Sequence, residues 1–130
     1  MKPKRVLLVD DNRTFLRAAE RFLRGVSGLE LVGQTTSGEK AAGLIGTLHP
    51  DLVLMDIALP GMNGLEATRQ IKRQHDAVKV IIVTLHKEPR YRALAKNAGA
   101  DGFILKDDLV MELPRLIASL FPPQEKARGK

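Results

Sequence analysis

The chain has 130 residues, 44% of them apolar and 28% charged, with a formal net charge of +6, which allows one domain built on one hydrophobic core. It contains no cysteine, so disulfides, thiolate metal sites and a cysteine nucleophile are excluded. No apolar run approaches the roughly 20 residues of a membrane helix, and the first one is too short for a signal peptide, so the chain reads as cytoplasmic with no membrane partner.

Apolar runs alternate with amphipathic stretches five times, the pattern of a parallel sheet with helices on both faces. The first strand, about 5 to 9, runs into Asp10 and Asp11. A helix over about 13 to 24 then buries Phe15, Leu16, Ala19, Phe22 and Leu23, and Gly25 and Gly28 close it. Its other face carries Arg13, Arg17, Arg21 and Arg24 as one stripe. No aromatic residues or glycine loops accompany the stripe, so it reads as solvated or protein-facing, and no direct nucleic-acid binding is expected of this chain.

The second strand covers about 30 to 34, and Ser37 can cap a helix over 38 to 47 that His49-Pro50 ends. The third strand, 51 to 55, leads into Asp56. Pro60-Gly61 supplies a tight loop, and Asn63 with Glu66 resembles a capping box for a helix reaching about His75. The fourth strand, 79 to 84, ends in Thr84, and Pro89 can start the helix over 89 to 97. The fifth strand, 102 to 105, ends at Lys106. The last helix carries Leu109, Leu113, Leu116, Ile117 and Leu120 with Pro114 in its middle. Either it kinks near Val110 or its regular part begins close to Pro114. Residues 1–121 read as one folded domain and 122–130 as a flexible basic tail or the start of a linker.

Asp10, Asp11, Asp56, Thr84 and Lys106 thus sit where buried strands run out. Ligands of a covered parallel sheet bind outside the carboxyl ends of its strands, so these side chains should converge. Three gathered carboxylates repel one another and make sense only if a cation and the lysine neutralise them. The cluster predicts a magnesium-dependent phosphoryl site.

The segments VLLVDDN at 6 to 12, HPDLVLMDIALPGMNGLE at 49 to 66, VIIVT at 80 to 84 and AGADGFILK at 98 to 106, in this order and at these separations, resemble the receiver domain of two-component response regulators. The similarity runs from about Lys4 to Phe121. It implies an α/β fold, a doubly wound five-stranded parallel sheet of the (βα)5 flavodoxin-like kind with strand order 2-1-3-4-5. It also implies a phosphorylation-dependent signalling switch: a phosphoacceptor that promotes its own phosphorylation and dephosphorylation, and not an enzyme.

By this resemblance Asp56 is the phosphoacceptor, with Thr84 and Lys106 as its catalytic partners. Asp10, Asp11, Asp56 and the backbone carbonyl of Ala58 are the Mg2+ ligands, Asp11 directly and Asp10 mainly through water. Thr84 and Phe103 form the switch pair that alters the surface of helix four, strand five and helix five. Ala58 and His86, each two residues beyond a site residue, are candidates for setting the dephosphorylation rate. The implied partners are a sensor histidine kinase or phosphotransfer protein, docking near the arginine stripe or Phe15, and a downstream protein or an output domain beyond this sequence. Leu85-His86 and Lys106-Asp107 look most similar to regulators with a helix-turn-helix, DNA-binding output. Homodimerisation through the last two helices on phosphorylation is implied as well. Whether the chain stands alone or is a piece of a longer regulator stays open.

Taken singly, these residues have plainer readings. Asp11 or Asp107 would cap a helix, Thr84 would favour a strand, and Phe103 would be a permanently buried strand residue. Joint occurrence outweighs them for Asp10, Asp11, Asp56, Thr84 and Lys106 but does nothing for Asp107. His49 and His75 show no ligand spacing. Two other functions fit less of the pattern: a receiver-like interaction module that works without phosphorylation, and a Mg2+-dependent aspartyl-phosphate phosphatase. The phosphatase needs an acid two residues beyond its nucleophile, where this chain has Ala58.

Overall fold

Residues 2–123 are described by a computed structural model. Strands and helices alternate as β1 (Lys4–Val9), α1 (Arg13–Arg24), β2 (Leu29–Thr35), α2 (Gly38–Leu48), β3 (Leu52–Met55), α3 (Gly64–Gln74), β4 (Lys79–Thr84), α4 (Pro89–Asn97), β5 (Gly102–Leu105) and α5 (Leu109–Leu120). All strand pairs are parallel, in the order β2-β1-β3-β4-β5. This is the doubly wound topology expected, with element bounds met to about one residue. From residue 124 on, the expected tail lies outside the described residues.

The strand side chains alternate between two cores. Leu7, Val9, Val53, Met55, Val80 and Ile82 face α2, α3 and α4. Val6, Leu8, Leu52, Leu54, Ile81, Val83 and Ile104 face α1 and α5. Every one of these side chains is at most 2% exposed, and burying each contributes about 1.5–3 kcal/mol. Both faces of the central strands are covered, which is why their sequences read as unbroken apolar runs.

The caps follow the polar punctuation. Ser37 accepts the Lys40 N–H at 3.1 Å, and Asn63 accepts the N–H groups of Leu65 and Glu66 at 2.8 and 3.0 Å. Glu66 makes no return bond to Asn63 among the described residues, so only half of the expected capping box is formed. Phe15 and Phe22 are partly buried, whereas Leu16, Ala19 and Leu23 form the fully buried edge of α1.

The last helix begins well before Pro114, against one of the two expectations. After a short 3-10 turn over Lys106–Asp108, regular α-helix begins at Leu109 and continues through Pro114 to Leu120. Pro114 cannot donate to the Val110 carbonyl, but both residues are exposed. The lost bond therefore falls on the solvent side, where water can replace it.

Candidate functional site

The carboxyl ends of β1, β3, β4 and β5 meet at one edge of the sheet. The Asp56 N–H donates to the Val9 carbonyl at 3.0 Å, setting the residue after β3 beside Asp10, the residue after β1. Oxygens of Asp10, Asp11 and Asp56 lie within 4.8 Å of one another. Asp10 and Asp56 are buried and Asp11 is exposed.

Lys106 enters from the end of β5. Its Nζ lies 2.8 Å from Asp10 Oδ2 and 3.4 Å from Asp56 Oδ2, with the side chain 9% exposed. The approach to Asp10 is close but misaligned, so Asp10 Oδ2, fully buried, has no hydrogen-bond partner. Asp10 Oδ1 accepts the Asn12 N–H at 2.9 Å, and Asp56 Oδ1 accepts the Ile57 N–H at 2.8 Å.

Burial pushes the Asp56 carboxyl above its usual range, and the neighbouring charge of Asp10 pushes it further. The Lys106 ammonium and the Ile57 N–H pull the other way without winning. Three carboxylates against one lysine, with one buried carboxylate oxygen ion-paired but without a hydrogen bond, is a donor set suited to a hard divalent cation such as magnesium. Ala58 is exposed, and its carbonyl accepts no backbone hydrogen bond among the described residues.

Thr84 is fully buried at the end of β4. Its hydroxyl oxygen accepts the backbone N–H of His86 at 3.2 Å, and no hydrogen bond joins it to Asp56 among the described residues. The His86 ring stacks on Tyr91 of α4, with centroids 4.4 Å apart. Phe103 of β5 is half-buried beneath the Arg92 guanidinium, 4.7 Å from the ring centre. Asp107 is exposed, 4.0 Å from Lys87, a surface pair worth little.

Two contributors escape the sequence reading. Asn12 caps α1 by accepting the Phe15 N–H at 3.0 Å, a role that an Asn before a helical run could have signalled. Gly64 opens α3 against the Asp56 backbone, where a Cβ would collide with the Asp56 carbonyl oxygen. The Asn63-Gly64 pair hinted at a turn but not at this contact.

The sequence profile of the response regulator receiver domain matches residues 6–118. Among curated proteins, the response regulator GacA of Pseudomonas viridiflava is 39% identical over 120 residues, covering 92% of this chain and 56% of that protein. Among solved structures, a LuxR-family two-component response regulator from Aurantimonas aligns with a TM-score of 0.83 and 30% identity, over 91% of this chain and 87% of the other. A DNA-binding response regulator of the LuxR family from Staphylococcus aureus aligns with a TM-score of 0.83 and 31% identity, over 90% and 98%. The chain spans little more than half the length of the curated relatives it matches.

Proposed function

The chain belongs to the response regulator receiver domain family, a phosphorylation-dependent switch of two-component signalling, and on that premise we propose that Asp56 is its phosphoacceptor. The observation that carries this reading is the buried Asp56 carboxylate, beside Asp10 and sharing the Lys106 ammonium with it at the carboxyl ends of the strands. An Asp56 oxygen attacks the phosphorus of a phosphohistidine or acyl phosphate. The new O–P bond replaces the donor's N–P or O–P bond, and the imidazole or carboxylate departs with that bonding pair. Lys106 and Thr84 meet the charge that develops on the phosphoryl oxygens, the lysine through its ammonium and the threonine by donating its hydroxyl proton.

Asp10, Asp11, Asp56 and the Ala58 carbonyl would hold Mg2+. When bound, the ion supplies Lewis-acid neutralisation of the phosphoryl oxygens. Hydrolysis of the aspartyl phosphate resets the switch, with His86 at the rim influencing its rate and Ala58 lacking any group to orient or block water by hydrogen bonding. Recruitment of Thr84 makes room for Phe103 to turn inward, changing the face formed by α4, β5 and α5.

The donor is a sensor histidine kinase or phosphotransfer protein. The recipient of the signal is a downstream protein or an output domain; the likeness to LuxR-family regulators, one of them described as DNA-binding, favours a DNA-binding output. Phosphorylation-biased homodimerisation through α4 and α5 is part of the same reading.

Intact mass after incubation with acetyl phosphate and magnesium tests the acceptor. Wild type should gain one phosphoryl group in a magnesium-dependent way and Asp56→Asn none. If neither acetyl phosphate nor a cognate kinase modifies the folded, magnesium-bound wild type, the phosphorylation-independent reading replaces this one.

A further inference from the structure

Lys106 is enclosed by side chains from several elements, and Phe15 has no part in the chemistry above. The Lys106 Nζ lies 4.4 Å from the centre of the Phe15 ring, while the same atom approaches Asp10 and Asp56. The geometry points to Phe15 as a positioning residue for phosphoryl transfer: its ring face holds the Lys106 ammonium between the two carboxylates and keeps water off its outer side. This rests on the reading of Asp56 as the acceptor.

The placement of the ring is tied to the site itself. Asp10 Oδ1 accepts the Asn12 N–H at 2.9 Å, and Asn12 Oδ1 accepts the Phe15 N–H at 3.0 Å, setting the first turn of α1. From that turn the Phe15 ring covers Lys106, whose ammonium returns to within 2.8 Å of Asp10 Oδ2. The circuit Asp10, Asn12, Phe15, Lys106 closes on itself. One carboxylate thus orients both the lysine and the ring that covers it.

The lysine has reason to need this cover. Its side chain is 9% exposed, so most of its hydration is gone, yet its contact with Asp56 is long and that with Asp10 lies outside hydrogen-bond geometry. A ring face attracts an ammonium through its quadrupole, and the attraction strengthens where water is excluded. An aliphatic side chain of similar bulk offers dispersion alone. An ammonium already held beside Asp56 meets the charge developing on the phosphoryl group without first being reorganised.

The test is the rate of phosphoryl uptake from acetyl phosphate at saturating magnesium, using the 130-residue chain. Phe15 is replaced by Leu, by Tyr, and by mono-, di- and trifluorinated phenylalanine. A small donor has no protein surface, so a docking role for Phe15 contributes nothing to the readout. Fluorination drains the negative ring face while nearly preserving its shape. Uptake should fall stepwise along the fluorinated series, by about threefold to tenfold at its end, with Phe15→Leu at or below that level and Phe15→Tyr close to wild type. Flat rates along the series, or Phe15→Leu equal to wild type, would overturn the proposal. A wild type that accepts no phosphoryl group from acetyl phosphate or from a cognate kinase overturns the acceptor reading and this inference with it, an outcome distinct from a phosphorylated wild type whose variants match it.

Discussion

Gly64 packs directly on the backbone of Asp56, with no room for a Cβ between them: such an atom would stand 2.8 Å from the Asp56 carbonyl carbon and closer still to its oxygen. The Gly64 N–H donates to the Ile57 carbonyl at 2.9 Å, so the start of α3 and the end of β3 are held as one unit. Gly64→Ala should therefore cost about 2–3 kcal/mol through overpacking and slow phosphoryl uptake by displacing Asp56. Denaturant midpoints and uptake rates measure both; a variant equal to wild type in each would show that the loop yields freely.

Without divalent metal, Asp56→Asn should stabilise the protein at neutral pH. The folded Asp56 carboxyl is raised by burial and by Asp10, so its contribution to stability is fully present below the ordinary carboxylate range and is lost as pH rises through the raised value. At pH 7 wild type carries that loss and the Asn variant does not. We expect a higher Tm than wild type at pH 7, the difference shrinking as the pH falls below the raised value. An advantage that stays constant from pH 3 to pH 7 would contradict the electrostatic cause.

Lys106→Ala leaves Asp10 and Asp56 facing each other without their cation. Without divalent metal the variant should lose about 2 kcal/mol of stability, less than a fully sealed ion pair would cost because Asp56 can take up a proton. Phosphoryl uptake should fall by at least about tenfold. Unfolding in EDTA and uptake from acetyl phosphate read the two effects separately, and wild-type behaviour in both would remove Lys106 from the site.

Magnesium should raise the Tm of wild type, because an ion bound only by the folded state stabilises it by mass action, about 2.7 kcal/mol at a hundredfold excess over Kd. The shift should weaken sharply in Asp11→Ala and in Asp56→Asn. Equal shifts in all three proteins would place the ion elsewhere.

His86→Ala tests the rim. The bond from the His86 backbone N–H to the Thr84 hydroxyl can survive this change, but the ring stacked on Tyr91 is lost. The aspartyl phosphate should then decay a few-fold faster as water gains access. An unchanged lifetime, followed by loss of phosphate after donor removal, would free His86 of any such role.

Asp10, Asp11, Asp56, Thr84 and Lys106 were legible as strand-end residues because β1, β3, β4 and β5 are short apolar runs, and period and polarity change abruptly where each run stops. Where the last helix begins relative to Pro114 was not legible, because the cost of a proline there depends on whether the Val110 carbonyl faces water or protein. Local sequence does not contain that information.

The sequence by itself determined the alternation of strands and helices and the strand ends on which the polar residues sit, since both follow from the local periodicity of apolar side chains. Only the tertiary structure decided that the Lys106 ammonium stands against Asp10 and under the Phe15 ring, that one Asp10 oxygen is buried without a hydrogen bond, and that Gly64 seals the back of Asp56. The Lys106 contacts join residues far apart in the chain, and the Gly64 contact depends on how the loop after β3 folds back. Their distances are set by packing across strands and loops to within a fraction of an ångström, a scale on which local pattern is silent.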